Sequence, residues 1–211
     1  MNIISNPDII KARFIDYILD NPLFSTGSLC IGQEVMYGSN RLFADMVLIT
    51  DDKLYAFEVK SRNDDLRRID NQLLNYKKIF DYVFVITTEN HIVQVKALSK
   101  MRIGIFMFNQ DGAFQEIKKA PILQTFSKVD ALNTIPATFL KKYFSANSKL
   151  TADQVRLSLL KQKKSVIKEC LHACMKSKIS YKYDNFMDEK GESVHFEDIS
   201  ILSLRNYSVL K

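Results

Sequence analysis

The chain is expected to adopt an α/β fold, a mixed β-sheet with helices on its faces, in the order helix, three-stranded meander, helix, strand. Three observations carry this expectation. Apolar residues recur at helical spacing after Asn6-Pro7-Asp8 and again from Leu66 to Phe80. Between those two segments lie two apolar runs, Phe43 to Thr50 and Lys53 to Lys60, around the polar pair Asp51-Asp52. A third run, Tyr82 to Thr88 (YVFVITT), follows the second helical segment, and a strand, a helix of about four turns and a buried strand make a right-handed parallel crossover.

In chain order, Asn6-Pro7-Asp8 offers a cap, a proline at the first helical position and an acid in the first turn. Ile10, Phe14 and Ile18 then form one apolar face, and the helix ends near Asn21-Pro22. Leu23 to Gly32 reads as loop, and a short strand is expected at Gln33 to Tyr37. The hairpin around Asp51-Asp52 follows. After a loop at Ser61 to Asp64, the second helix presents Leu66, Ile69, Leu73, Tyr76 and Phe80 on one face. Beyond Thr88, the lone His91 reads as loop. Arg102 to Phe108 and Ala113 to Ile117, joined by Asn109-Gln110-Asp111-Gly112, form a second hairpin.

Past Pro121 the composition turns to helices and lysines, which divides the chain into a core at residues 1–120 and a basic, mainly helical region at 121–211. Pro136 opens a short helix through Phe144. Thr151 caps a longer one reaching towards Met175, with Val155, Leu159, Val166, Cys170 and Cys174 as its apolar stripe. A turn around Asp188 to Glu192 precedes a short strand or helix at Ile199 to Leu204.

With 46% hydrophobic and 26% charged residues, the chain falls in the soluble globular class. No apolar run approaches the roughly 20 residues that span a bilayer, and no leader pattern opens the chain, so no membrane partner is expected. Three cysteines without a framework spacing suit a reducing cytoplasm. Cys170, His172 and Cys174 are poorly spaced for zinc and match apolar packing better. The net charge of +6 is uneven: Lys118 to Lys182 holds fourteen basic and three acidic residues. Such a basic face either neutralises nucleic-acid phosphates or is an ordinary solvated helix surface. Phosphate-binding glycine loops, the G-x-S-x-G elbow, H-E-x-x-H and C-x-x-C are all missing from the sequence.

The chemistry that remains lies in charges set inside apolar strands. With the turn centred on Asp51-Asp52, Asp45 faces Glu58 across the hairpin, their Cβ atoms about 4.5–5.5 Å apart, and Lys60 shares their face. Opposed like charges destabilise a strand pair, so folding alone gives no motive for them. A hard divalent cation, Mg²⁺ or Mn²⁺, gives one, because carboxylate oxygens suit it and it keeps waters and phosphate oxygens in its shell. Beside it, Lys60 would orient or deprotonate water, or offset charge on a phosphate. A hairpin with solvated charges is the alternative, but Ala44, Met46 and Leu48 on one face and Phe43, Val47 and Ile49 on the other mark a strand buried on both sides.

Asp45 followed by Glu58-Val59-Lys60 in a strand, turn, strand setting resembles the catalytic motif of the PD-(D/E)xK nuclease superfamily, whose fold is the restriction-endonuclease-like αβββαβ core. The following segment, SRNDDLRRIDNQLLNYKKIFDYVFVIT, resembles the next helix and strand of many members, with Gln72 and Tyr76 in the Q-x-x-x-Y arrangement of RecB-like nucleases. The likeness spans about residues 5 to 117 and is strongest to small bacterial and phage members. No proline precedes Asp45, a departure common among divergent members.

The resemblance implies Mg²⁺ or Mn²⁺ held by Asp45, Glu58 and the backbone carbonyl of Val59, with Lys60 activating water and Gln72 and Tyr76 lining the pocket. Glu34 is similar to an acid that many members use as a further metal ligand or water anchor; as read from the sequence, it is equally a solvated edge residue. As read from the sequence, Arg41 either holds a phosphate or carboxylate near the site or caps the turn as a surface ion pair. On this reading the protein is a nuclease cleaving phosphodiester bonds in DNA, with RNA as the other candidate, to a 5′-phosphate and a 3′-hydroxyl. DNA repair, recombination and phage defence are the candidate contexts, and a homodimer is compatible with cutting two strands. The competing expectation is a module of the same fold that binds nucleic acid or a partner without turnover.

Overall fold

The structure is a computed structural model that describes residues 3–21, 24 and 27–205. Helix α1 (Pro7–Asp20) starts as the cap residues dictate, the Asn6 side chain accepting the Asp8 N–H at 2.9 Å. Strands β1 (Cys30–Tyr37), β2 (Leu42–Ile49) and β3 (Leu54–Lys60) form the meander. Helix α2 (Ile69–Tyr76) connects to β4 (Tyr82–Thr88), which pairs parallel to β3. The αβββαβ order is therefore present, and the fold is α/β. After α3 (Ile92–Ala97) come β5 (Gly104–Phe108), parallel to β4, and β6 (Phe114–Lys118), antiparallel to β5. One mixed sheet results, with its six strands in sequence order.

Four helices complete the described chain: α4 (Lys128–Thr134), α5 (Ala137–Tyr143), α6 (Ala152–Leu159) and α7 (Lys164–Glu189). A short 3₁₀ turn at Asp198–Leu202 follows, and Ser203 then bridges to Gln33 on β1. The sheet is covered on both faces. Phe14 of α1 packs edge-on to Phe57, Phe106 and Phe114, with ring centroids 5.0, 5.2 and 5.0 Å away. On the opposite face, α7 lies on β1 and β2 and buries Ile167, Cys170, Leu171, Cys174, Met175 and Ile179. Gly32 makes room for this helix, since a Cβ there would lie 3.0 Å from Ile179. Buried residues from Ile4 to Leu202 join a single hydrophobic cluster, so residues 121–205 pack onto the sheet and share its core.

Several elements differ from the sequence expectation. Strand β1 begins at Cys30, three residues before the expected start; part of the expected loop at 23–32 lies outside the described residues. Helix α2 is shorter than four turns. At its start, the Asp65 carboxylate takes the Arg67 N–H at 2.8 Å in a local turn, and at its end Ile79 N–H bonds Tyr76 O at 3.0 Å in a tight 3₁₀-like closure. The helix expected from Thr151 to Met175 is two helices. Thr151 and Gln154 form a capping box for α6, and the break after Leu159 is held by Lys128, whose ammonium bonds the carbonyls of Leu160 and Gln162. The stripe on α7 accordingly runs through Ile167, with Val166 only half-buried.

Candidate active site at the split between two strands

Strands β2 and β3 keep the expected register, Ile49 opposite Leu54 and Met46 opposite Phe57. One step further, Asp45 and Glu58 occupy opposed positions, and there the ladder stops. Strand β2 stays with β1 through Ala44 and Val35, while β3 stays with β4 through Glu58 and Val85. The freed backbone groups at the split need partners, and side chains supply them. Asp45 Oδ2 accepts the Val59 N–H at 2.9 Å, so this carboxylate replaces the missing rung.

Helix α2 closes the site. The Tyr76 hydroxyl donates to Glu58 Oε2 at 2.6 Å and accepts the Asp45 N–H at 3.2 Å. One turn earlier on the helix, Gln72 Oε1 accepts from Lys60 Nζ at 3.2 Å. Lys60 Nζ also lies 2.7 Å from Glu58 Oε1, an ion pair without hydrogen-bond geometry. The structure thus brings Asp45, Glu58, Lys60, Gln72 and Tyr76 into one connected polar group. Val59 enters it through its N–H.

Burial sets the electrostatics. Glu58 is 0% exposed and Lys60 9%, so each would be costly alone, and their pairing offsets much of that cost. One ammonium faces two carboxylates. Asp45 carries the imbalance: burial first, and then the Glu58 carboxylate, push its pKa up to about 7, against the Val59 N–H and the charges of Lys11 and Lys60. The Tyr76 phenol is held well above its ordinary range by burial and by the same two acids, so it stays a donor. Tyr37, its ring centroid 5.3 Å from that of Tyr76, is raised for the same reasons.

Glu34 is not part of this group. Its register position on β1 is opposite Asp45, yet its backbone takes φ 50°, a left-handed conformation uncommon for a residue with a Cβ. Its carboxylate instead accepts from Ser203 Oγ at 2.6 Å and lies 3.4 Å from Arg205. Among the described residues no three His, Cys, Asp or Glu side chains gather as a metal cage, so the expected third acid is diverted to the C-terminal segment. Arg41 is exposed in the β1–β2 turn, at φ 52°, with Nε 3.3 Å from Met36 sulfur. Cys170 and Cys174 are buried free thiols, and His172 Nε2 lies 2.8 Å from Thr50 O. His91 precedes α3 at its N-terminus.

The donor set fits a divalent cation on its own terms. Buried Glu58 and half-buried Asp45 share a single ammonium, and after burial it is the Glu58 charge that lifts Asp45; a cation between them would remove that repulsion. Val59 and the two acids are the residues that would hold it.

Lys11 of α1 is a site neighbour that the sequence pattern left unmarked. Its charge acts on Asp45, and its ammonium sits 3.0 Å from Asp8 Oδ1 and 3.5 Å from Gln33 Oε1. Only the packing of α1 against the sheet brings it there. Several cations of the basic helical region make structural contacts: Arg156 with Leu132 O, Lys164 with Gln124 O, Lys168 with Asp81 and Lys182 with Ser203 O. Among the described residues, no helix is long and apolar enough to cross a membrane.

Comparison with known proteins places the whole of this architecture in one family. The chain is 22% identical over 215 residues to Protein cII of Enterobacteria phage P4, a match covering 96% of this chain and 80% of that protein. The family model described as bacteriophage P4 protein cII matches residues 4–203, which span the six strands and seven α-helices among the described residues, and the chain belongs to that family.

Proposed function

We propose that this protein is a metal-dependent nuclease of PD-(D/E)xK type, acting in the cytoplasm on DNA or RNA. The observation that carries the reading is the convergence of Asp45, Glu58 and Lys60 at a split between two strands, where one buried and one half-buried carboxylate face one ammonium. Bound there, Mg²⁺ or Mn²⁺ would supply Lewis-acid stabilisation of the phosphate. Asp45, Glu58 and the Val59 carbonyl would hold the cation, and the Val59 N–H fixes Asp45. Tyr76 orients Glu58 through its hydroxyl, and Gln72 anchors Lys60. Lys60 orients a water whose oxygen attacks phosphorus. The P–O3′ bond breaks, and the 3′ oxygen takes up a proton, leaving 5′-phosphate and 3′-hydroxyl ends.

The test is incubation of the purified protein with supercoiled, linear and single-stranded DNA, and with RNA, in Mg²⁺ or Mn²⁺. Cleavage is expected from the wild type, with loss of about 10²-fold or more in Asp45→Ala, Glu58→Ala and Lys60→Ala. Cleavage unchanged in the Glu58→Ala/Lys60→Ala double variant would remove this site from the reaction. A second reading, a nucleic-acid or partner-binding module of the same fold without turnover, is favoured by one observation: Lys60 and Tyr76 serve Glu58 as partners. Titration with Mn²⁺ separates the two, since a polar network kept only for structure has no affinity for the ion.

A further inference from the structure

The parallel ladder between β3 and β4 sets Thr87 directly beside Lys60, as it sets Val85 beside Glu58. Paired residues of neighbouring strands place their side chains on one face, so the Thr87 hydroxyl lies on the Glu58 and Lys60 side of the sheet. Thr87 is 0% exposed, and its Oγ1 has no hydrogen-bond partner. On its other flank β5 offers Met107, which carries no strong donor or acceptor. A buried hydroxyl left without a partner costs about 1–3 kcal/mol, and a valine of the same shape would avoid that cost. Folding therefore gives no reason for threonine at this position.

Lys60 supplies a reason. Its ammonium has three N–H donors, and its described partners are Glu58 Oε1 and Gln72 Oε1. When Glu58 turns its charge to a divalent cation, Lys60 loses its ion-pair partner while remaining buried. The nearest strand position then presents an unused acceptor.

We propose that Thr87 is a positioning residue, the second docking point of the Lys60 ammonium, which accepts a Lys60 N–H once a divalent cation engages Asp45 and Glu58. This rests on the metal site proposed above. In the metal-free protein Lys60 pairs with Glu58; in the metal-bound protein it spans Gln72 and Thr87 and presents its remaining N–H to the attacking water. Thr87 touches neither substrate nor ion.

The experiment compares wild type, Thr87→Val and Thr87→Ser by calorimetric titration with Mn²⁺ alone and by thermal unfolding with and without the ion. Thr87→Val should unfold at the same or a higher temperature than wild type without metal, yet bind Mn²⁺ about 5- to 10-fold more weakly, the equivalent of one net hydrogen bond. Thr87→Ser, which keeps the hydroxyl, should restore wild-type affinity. Equal Mn²⁺ affinity in wild type and Thr87→Val overturns the role of Thr87 and leaves the metal site intact. Absence of Mn²⁺ binding by the wild type overturns both, and Asp45→Ala, in which binding should be lost, tells the two failures apart.

Discussion

At the scale of single residues, Asp45 combines two jobs that oppose each other. Its Oδ2 replaces a missing rung of the sheet, and its charge sits unfavourably beside Glu58. Its pKa, raised from 3.8 to about 7, means that between those values the folded chain holds a proton that the unfolded chain has released. Stability therefore falls as pH rises from about 4 to 7, and the loss is complete above that range. Asp45→Asn keeps an oxygen for the Val59 N–H and removes the charge. It should be more stable than wild type at pH 8 by on the order of 2 kcal/mol, with the difference vanishing near pH 4. Thermal melts across that range check the sign, and the same variant should bind no Mn²⁺. A variant less stable than wild type at pH 8 would mean that the acid is not held against its charge.

At the scale of elements, close backbone approach places the strands and helices around the site. Gly104 on β5 packs under the Phe84 ring and the chain at Ala120, where an added Cβ would fall 2.9 Å from the Ala120 nitrogen and closer still to the ring. Gly104→Ala should cost about 1–3 kcal/mol or more, roughly 2–12 °C in melting temperature, because neither backbone nor stacked ring can give way. Gly32→Ala meets only the rotatable side chain of Ile179 and should cost less. The hairpin register was legible because Asp51-Asp52 and the apolar alternation determine which residues oppose each other. Gln72 and Tyr76 were legible as one helical face. Glu34 was not, since its diversion depends on a left-handed backbone and on Ser203, far along the chain. The break between α6 and α7 carries no glycine or proline; a lysine from α4 satisfies its carbonyls. Helix α4 had a readable start, Ser127 capping Asp130 N–H at 3.2 Å, although the residues after it carry no long apolar stripe.

At the scale of the whole molecule, the site depends on both ends of the chain. Helix α7 covers the face of β1 and β2 beside the split, and the segment at Ser203 pairs with Gln33. A fragment of residues 1–120 would expose that face, including the pocket above Gly32 that Ile179 fills. It is expected to aggregate or to bind hydrophobic dyes, whereas the full chain should unfold in one transition. A fragment that melts cooperatively by itself would show that the helical region is an appendage. Several cations of that region hold carbonyls, which leaves their charge in place, and Lys168 pairs with Asp81.

In the proposed site a divalent cation would bind between the carboxylates at positions 45 and 58. Anomalous diffraction from crystals soaked in Mn²⁺ tests it most directly. A peak is expected about 2.0–2.3 Å from an oxygen of each acid, with the Lys60 ammonium drawn away from Glu58. A map without such a peak, in which Glu58 keeps its contacts to Lys60 and Tyr76 at saturating Mn²⁺, would contradict it.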